Sequence, residues 1–357
     1  MYIMLSNYYL SLRAWQPLAL TWLACCMGFS AFAQNAAANT SDANVSVNPN
    51  PNADAGALLA KYKTVAGALA NNIYGRPLLL ESTEAGDRLS GNAYAVLDAP
   101  FAAVTTAFRS ASTWCDVMIL HINTKYCRVM PDSKPVTLKV HIGKKTPQSL
   151  QDSPSLEFVM RQVTATGNLL VVQLSAANGP LGTSNYRIEL QAAPIDGNKT
   201  FMHLRYAYEY GVAGRLAMQG YLATGGRGKV GFSTKTPGTA NAKTAYVGGA
   251  RGAVERNTMR YYLAIDAYLQ SLDQPPAGQV NARLDKWFDA TEQYPQQLRE
   301  TDKASYLTMK KTRFSVNSPA RLNWNHVLRN VEKCNLASVL HPALPCGYPL
   351  HELLGLT

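Results

Sequence analysis

Hydrophobic side chains alternate with polar ones along the middle of the chain, as expected for strands that bury one face. The clearest run is 202–210, where Met202, Leu204 and three tyrosines alternate with His203 and Arg205. Six further runs are interpreted as strands, at 88–97, 119–129, 136–142, 156–160, 169–174 and 186–190. Asn-Gly-Pro and Asp-Gly-Asn turn clusters separate several of them. The pattern predicts six or seven antiparallel strands.

Helical spacing of apolar residues precedes and follows these strands. Residues 56–72 predict an amphipathic helix, and two short helices are expected directly after the strand at 88–97. The longest helix is predicted at 250–272. Its apolar stripe consists of Val254, Tyr261, Ile265, Tyr268, Leu269 and Leu272, and its opposite, polar face of Arg251, Glu255 and Arg260.

The remaining segments suggest the domain organisation. Residues 34–57 have almost nothing to bury and are interpreted as a disordered tether, so the ordered domain is expected at 58–273. Within that domain, 211–249 is too long for a turn and is expected to be a lid, an extra hairpin or a mobile loop. Residues 274–357 predict a helical C-terminal extension that ends in an irregular clasp. The apolar contacts of this extension are expected to be Leu284, Trp287, Phe288, Tyr306 and Met309.

The order of these elements over 88–273 resembles that of the START-like, or helix-grip, superfamily, which includes lipid-transfer domains, polyketide cyclases and the birch-pollen-allergen group. The residues that carry the resemblance are GNAYAVLDAPF at 91–101, the segment around Trp114, and GAVERNTMRYY at 252–262. The chain also resembles exported proteobacterial proteins of unassigned function that have the same Trp-Cys pair and closing helix. The resemblance implies an α+β helix-grip fold, in which a curved antiparallel sheet of six to seven strands wraps around the long C-terminal helix, with a helical C-terminal appendage.

The same resemblance implies a cavity between sheet and helix that holds a lipid or another hydrophobic small molecule. The ligand-binding residues would be Met202, Leu204, Tyr206, Tyr208 and Tyr210 on the last strand and Val254, Tyr261, Ile265 and Tyr268 on the helix. Tyrosines combine an apolar ring with a polar tip, which suits a ligand with a long tail and a few polar groups. The residue pattern without the resemblance favours an ordinary core between sheet and helix.

The first 33 residues have the pattern of a cleavable secretory signal. Arg13 precedes an apolar run at 17–27, and the segment closes on the small-x-small sequence at 31–33. The run is shorter than the roughly 20 residues that a membrane-spanning helix needs. The alternatives are a membrane anchor and a lipoprotein attached through Cys25 or Cys26, although neither cysteine follows the usual small-residue motif. We expect cleavage and a periplasmic or secreted location.

The chain is basic, with 34 Lys and Arg against 23 Asp and Glu. Cleavage would remove one arginine and no acidic residue, so the excess of positive charge would persist. The basic residues are scattered and follow no nucleic-acid-binding motif, so nucleic acid is not an expected partner. Such a surface is attracted to anionic lipid headgroups, and we expect a monomer that makes peripheral contact with membranes.

Four of the six cysteines lie beyond the signal, in two pairs twelve residues apart. The pairs are Cys115 with Cys127 and Cys334 with Cys346. Local pairing is the simplest of the three connectivities, and in an oxidising compartment each disulfide would contribute about 3 kcal/mol. Zinc binding is the alternative, but no Cys-x-x-Cys occurs and neither His121 nor His341 has a zinc-finger spacing. No metal site is predicted.

Sequence motifs for catalysis are missing. The chain contains no Gly-x-Ser-x-Gly, no phosphate-binding Walker sequence and no His-Glu-x-x-His. The glycine-rich stretch at 225–229 is followed by Val230, where a phosphate loop needs Ser or Thr. His141 and His203 are predicted on the outward faces of strands. No catalytic residue and no cofactor is therefore predicted.

Three functions are compatible with these observations. The first is non-covalent binding of a lipid or other hydrophobic ligand in the periplasm, with 211–249 controlling access to the cavity. The alternative is an enzyme of the cyclase or hydrolase type that uses the same cavity, with tyrosines and an arginine polarising a carbonyl. The third is a non-catalytic envelope scaffold, for which Trp287, Phe288 and Trp324 would form an exposed apolar patch.

Overall fold

An eight-stranded antiparallel sheet is the framework of the protein, described here from a computed structural model over residues 55–224, 226–234 and 245–317. The strands are β1 (Leu78–Ala85), β2 (Arg88–Leu97), β3 (Thr124–Val129), β4 (Thr137–Ile142), β5 (Ser155–Ala165), β6 (Leu170–Asn178), β7 (Thr183–Ile195) and β8 (Lys199–Tyr210). Their order in the sheet is β1-β2-β8-β7-β6-β5-β4-β3, so consecutive hairpins run from β3 to β8, and β8 then pairs with β2.

The sheet has one strand more than the six to seven that the sequence predicts. The additional strand is β1, at the edge beside β2. Its inward positions are Leu78, Leu80 and Ser82, so its apolar alternation lasts for only two residues. A polar residue at the third inward position explains why the period-two pattern did not reveal this strand.

Eight helices accompany the sheet within the described ranges. They are α1 (Gly56–Ala70), α2 (Phe101–Phe108), α3 (Ala111–Met118), α4 (Val212–Ala223), α5 (Gly249–Leu269), α6 (Pro276–Glu292), α7 (Pro295–Leu298) and α8 (Lys303–Asn317). Helix α4 occupies part of 211–249, where the sequence predicts a lid, an extra hairpin or a mobile loop. Its glycines, Gly214 and Gly220, and its mostly exposed surface leave no apolar stripe to identify it in the sequence.

Helix α5 packs against the inner face of the sheet, mainly on β1, β2 and β8. The approach is closest at Gly91 in β2, where a Cβ atom would lie 2.2 Å from Oγ1 of Thr258. Only glycine leaves room for the helix at this point. An antiparallel sheet that holds a long helix after its last strand is the α+β helix-grip arrangement, and the predicted fold class is confirmed.

The other side of α5 is covered as well, by α6 and α7. Glu255, Arg256 and Arg260 are almost completely buried. Glu255 contacts Ser82 of β1 and the segment 226–234, Arg256 contacts the carbonyl of Val230, and Arg260 contacts residues 298 and 300 of the C-terminal extension. The sequence placed Glu255 and Arg260 on a polar face opposite the apolar stripe. Exposure of that face is wrong for this helix, because β1 and the segment 226–234 cover Glu255 and the C-terminal extension covers Arg260.

The C-terminal extension contributes to the same hydrophobic core as the sheet and α5. Its predicted contacts Leu284, Trp287, Phe288, Tyr306 and Met309 are all buried in that core. Trp287 and Phe288 therefore do not form the exposed patch that a scaffold function required, and Trp324 lies outside the described residues. The division into domains at 58–273 and 274–357 stays a prediction.

A second, smaller core lies on the outer face of the sheet, beneath α1. Leu58, Val65 and Leu69 of this helix pack with Tyr94 and Phe201. The neighbouring His203 stacks on Tyr94, with ring centroids 4.4 Å apart. His203 was predicted on the outward face, and it is on that face, where its stacking on Tyr94 leaves it half-buried.

A disulfide between Cys115 and Cys127 joins α3 to β3, which confirms the first local pair. The second pair, Cys334 and Cys346, lies outside the described residues, as do the predicted signal at 1–33 and all but the end of the tether. None of the described helices is long and apolar enough to cross a membrane. The described residues also contain no group of three or more His, Cys, Asp or Glu arranged to hold a metal ion.

Candidate functional site

The nine residues predicted to bind ligand all lie in the main core, between the sheet and α5. They do not form a single cluster. The ring of Tyr206 contacts that of Tyr261, with centroids 5.3 Å apart, and that of Tyr208 at 5.7 Å. Met202, Leu204, Val254 and Ile265 are completely buried in the same core. Strand β8 and helix α5 thus bring three of the predicted tyrosines into contact.

Two of the predicted tyrosines point elsewhere. The hydroxyl of Tyr268 lies 3.3 Å from that of Thr113, and its ring is covered by the guanidinium of Arg283 at 4.2 Å. The hydroxyl of Tyr210 donates to Glu84 at 3.1 Å. Tyr210 and Tyr268 therefore belong to the margins of the interior rather than to its centre.

A fourth tyrosine, Tyr186 on β7, completes the group. Its ring stacks on Tyr208 at 5.3 Å and lies 6.4 Å from Tyr206. We call Tyr186, Tyr206, Tyr208 and Tyr261 the tyrosine cluster. Burial raises the pKa of every member, so all four are neutral phenols that can donate and accept hydrogen bonds. The alternation at 186–190 would have identified Tyr186.

A histidine lies against this cluster. The ring of His121 is 5.0 Å from that of Tyr261, and its Nδ1 accepts a hydrogen bond from the backbone N–H of Asn123 at 3.3 Å. Desolvation, with a smaller effect of nearby cations, lowers the pKa of His121 well below its usual value, so the ring is neutral and its hydrogen is on Nε2. This Nε2 is buried and, among the described residues, has no hydrogen-bond partner.

Asn257 on α5 connects the histidine to a group of cations. Its side chain lies close enough to His121 and Tyr206 to affect the pKa of both, although it is outside hydrogen-bonding geometry with His121 Nε2. Its Oδ1 accepts a long hydrogen bond, 3.5 Å, from Arg260. Asn257 therefore lies between the tyrosine cluster and the cations beyond it.

These cations are Lys145, Lys229, Arg256 and Arg260, which we call the cationic cluster. Glu300 accepts from Lys145 at 2.6 Å and from Arg260 at 2.7 Å. Within the described ranges, no other carboxylate lies within 4.0 Å of any of the four. Glu300 therefore pairs with two of the four cations, and Lys229 and Arg256 have no carboxylate partner among the described residues.

Arg256 has the weakest compensation of the four. It is 2% exposed, and its guanidinium donates to the backbone carbonyl of Val230 at 3.2 Å. The Nε of Arg260 is also buried and, in the part of the chain that the structure describes, has no acceptor. A buried cation without a counterion is costly, so this region favours anions.

Tyr221 on α4 responds to this positive potential. Burial alone would raise the pKa of its hydroxyl, but the hydrogen bond from Lys145 and the charges of Lys145 and Arg256 lower it overall. Lys145 donates to that hydroxyl at 2.8 Å. Helix α4 therefore packs over the cationic cluster and closes one side of it.

Sequence reasoning identified part of the tyrosine cluster and missed the cationic cluster. Arg256 and Arg260 are four residues apart, which is the spacing of neighbours on one helix face. That spacing is visible in the sequence, but charged residues on a helix usually face solvent. Lys145, Lys229 and Glu300 come from three separate loops, and no local pattern relates them.

No protein-family model and no curated protein matches the chain. Similar solved structures include human StAR-related lipid transfer protein 5, with 7% identity, 62% of this chain and 100% of that chain covered, and a TM-score of 0.31. A STAR-related lipid transfer protein from Xanthomonas axonopodis has 10% identity, covers 54% of this chain and 98% of that one, and has a TM-score of 0.30. The Zhui aromatase/cyclase from Streptomyces sp. R1128 has 11% identity, with 56% and 94% covered and a TM-score of 0.29. Likeness at this level transfers neither a ligand nor an activity to the present chain.

Proposed function

We propose that this protein binds a lipid or other hydrophobic ligand between the sheet and α5, beside the tyrosine cluster, after export to the periplasm or the medium. The observation that carries the proposal is that two buried donors, His121 Nε2 and Arg260 Nε, have no acceptor among the residues that the structure describes. They account for two of the five buried polar side-chain atoms without a partner in the described residues. A well-packed core satisfies such groups, so an occupant is the simplest acceptor for both.

The surroundings of these donors suit an amphipathic occupant. Tyr206 and Tyr261 offer ring faces and neutral hydroxyls, while Ile265 and Leu204 are purely apolar. Ligand sites of this kind combine a mostly apolar lining with a few directed polar groups. The interior beside α5 has that composition.

The test begins with the full chain purified from its native host. We expect an organic extract to contain a lipid detectable by mass spectrometry, and the delipidated protein to take up fluorescent fatty acids or phospholipids. Tyr206→Phe removes one hydroxyl from the tyrosine cluster and should weaken uptake about threefold to tenfold. Tyr62→Phe is the matched control, because Tyr62 packs on the outer face with Phe201. An empty extract together with no uptake would refute the proposal.

A cyclase- or hydrolase-type enzyme is the second candidate, and the position of His121 favours it. A histidine beside Tyr261, with Asn257 near Tyr206, resembles an arrangement in which neutral donors polarise a carbonyl. The bound molecule recovered from wild type and from a His121→Phe variant distinguishes the two functions. Chemical conversion by wild type alone supports an enzyme, whereas an unchanged ligand in both supports a carrier.

Peripheral membrane contact is the remaining part of the proposal, and α4 is the surface we assign to it. Val212 and Leu216 are 79% and 63% exposed, and Leu181 beside them is 70% exposed. The segment 211–254 contains six basic residues and no acidic one. We expect the protein to sediment with vesicles that contain anionic lipid and less with neutral ones, and Leu216→Asp to reduce sedimentation. Equal binding to both kinds of vesicle would contradict this role.

A further inference from the structure

We propose that the cationic cluster binds the anionic group of the ligand, a carboxylate or a phosphate, so that the protein selects acidic lipids over neutral ones. The inference rests on the proposed function, since it names the ligand class for the same interior. It is carried by the charges and contacts of Arg256, Arg260, Lys145 and Lys229 rather than by the tyrosine cluster.

The charge balance of the cluster is the first argument. Of the four cations, Lys145 and Arg260 pair with Glu300, whereas Lys229 and Arg256 have no carboxylate within salt-bridge distance in the described chain. Arg256 and Arg260 are each only 2% exposed. Burying a charge without an opposite charge is costly, and a protein usually avoids it by pairing. An oxyanion from the ligand would provide the missing negative charge.

The donors of the two arginines are suited to an oxyanion. Arg256 and Arg260 are one helical turn apart on α5, and Arg260 keeps a buried Nε–H without an acceptor within the described chain. Planar guanidinium groups match the spacing of carboxylate and phosphate oxygens. Within the described residues, Arg260 therefore has one donor without an acceptor, and Arg256 has a charge without a carboxylate partner.

Arg283 is a buried arginine with a structural role, and it has more hydrogen-bond partners than Arg256. Arg283 on α6 donates to Asp116 at 2.8 Å, to Ser271 at 2.9 Å and to Gln279 at 2.8 Å. Its charge and three of its nitrogens are satisfied by side chains. Arg256 has the single carbonyl of Val230 and no carboxylate within salt-bridge distance among the residues described.

The position of the cluster suggests how an acidic lipid would lie. Lys145 is partly exposed beside Tyr221, whereas Asn257 reaches from Arg260 toward Tyr206. The anionic group would be held at the cationic cluster, and the hydrocarbon chain would follow the tyrosine cluster. The anionic group and the hydrocarbon chain of the lipid would thus be recognised by different residues, so the two contributions can be tested separately.

The experiment compares ligands that differ only in charge, using the delipidated full chain. Palmitate is paired with methyl palmitate, and phosphatidic acid with a diacylglycerol that has the same acyl chains; inorganic phosphate alone is the fifth probe. Each affinity is measured for wild type, Arg256→Met and Arg256→Lys. Arg161→Met is the control, because it removes one exposed charge from β5.

We expect Arg256→Met to weaken an anionic ligand about tenfold or more relative to its neutral partner, with Arg256→Lys in between and Arg161→Met unchanged. A carboxylate effect identifies fatty acids, a phosphate effect identifies phospholipids, and binding of inorganic phosphate alone identifies a free anion as occupant. Without ligand, Arg256→Met should melt at the same or a higher temperature, because it removes an uncompensated buried charge. Equal loss for charged and neutral ligands, or a strongly lowered melting temperature, would overturn the inference. Binding of neither member of a pair to wild type would instead reject the proposed function.

Discussion

Arg256 and Arg260 lie on successive turns of α5, both buried, and Glu300 pairs with Arg260 at 2.7 Å while Arg256 has no carboxylate within 4.0 Å in the described chain. A buried arginine without a carboxylate partner is unusual, because the cost of removing its charge from water must be offset by an opposite charge. The sequence predicts one apolar and one polar face for α5. In the structure the polar face is buried, and Arg256 and Arg260 give it a positive potential.

Glu300→Gln tests this balance from the negative side. Removing the single carboxylate should destabilise the ligand-free protein by roughly 2–4 kcal/mol, because Lys145 and Arg260 lose their common partner. The same change should increase affinity for an acidic lipid, since the lipid no longer competes with Glu300. Denaturant unfolding and lipid titration measure the two effects. Glu81→Gln, in an exposed pair with Lys61, is the control and should change neither by more than about 1 kcal/mol.

Glu255 fixes the segment 226–234 to α5, and its removal should loosen that segment. Its carboxylate accepts hydrogen bonds from the Ser82 hydroxyl at 2.5 Å and from the backbone N–H groups of Phe232 and Ser233 at 2.6 and 2.9 Å. Glu255→Ala leaves buried donors without an acceptor and should cost about 2–4 kcal/mol in thermal or denaturant unfolding. Faster hydrogen exchange is expected at the amides of residues 232 and 233. The exposed Glu157→Ala serves as the comparison, and equal stability of the two variants would show that the Glu255 contacts are unimportant.

Gly91 in β2 determines how closely α5 approaches the sheet. A methyl group at this position would meet Oγ1 of Thr258 at 2.2 Å, so Gly91→Ala should destabilise the protein by about 1–3 kcal/mol. The double variant Gly91→Ala/Thr258→Ala removes the hydroxyl and should recover part of this loss. A double-mutant cycle of unfolding free energies measures the coupling. Strictly additive losses would mean that the contact with Thr258 does not set the distance.

His203 should make the protein sensitive to mild acid. Burial, and to a smaller extent the charges of Arg205 and Lys61, lower the pKa of His203 to about 4. In the unfolded chain a histidine titrates near 6.5, so between these two values the unfolded state binds more protons. The free energy of unfolding should therefore fall as the pH decreases from about 6.5 to about 4. Below about pH 4 His203 is protonated in both states and should add little further change.

The variant for this prediction is His203→Gln, which can still donate a hydrogen bond to Oδ1 of Asn92. Its unfolding free energy should depend less on pH in that interval, by up to about 3 kcal/mol. His141→Gln, at a half-buried histidine on β4, is the comparison variant. A pH profile that His203→Gln leaves unchanged would refute the assignment.

The sequence alone determined the order of elements and the orientation of most strands. Alternation along 202–210 fixed which side chains of β8 face the core, since consecutive side chains in a strand point to opposite faces. The sequence also indicated the Cys115–Cys127 disulfide, because these two cysteines are only twelve residues apart, which favours local pairing. Strand β1 was not predicted because its inward apolar residues are too few to establish a period. Helix α4 was not predicted because its apolar residues are spread around the helix and form no single stripe.

The tertiary structure decided which polar residues are buried. Whether Glu255 and Arg260 face water depends on what covers α5. Glu255 is covered by Ser82 of β1 and by the segment 226–234, and Arg260 by residues 298 and 300, and no local pattern in the sequence relates these segments to α5. Lys145 and Glu300 are likewise 155 residues apart in the chain and meet only in the folded protein. Periodicity reports how a segment is divided between apolar and polar faces, but only packing decides whether a polar face meets solvent or another element. The candidate site for an anionic ligand therefore became visible only in three dimensions, whereas the sheet and helix that surround it could be predicted from the sequence.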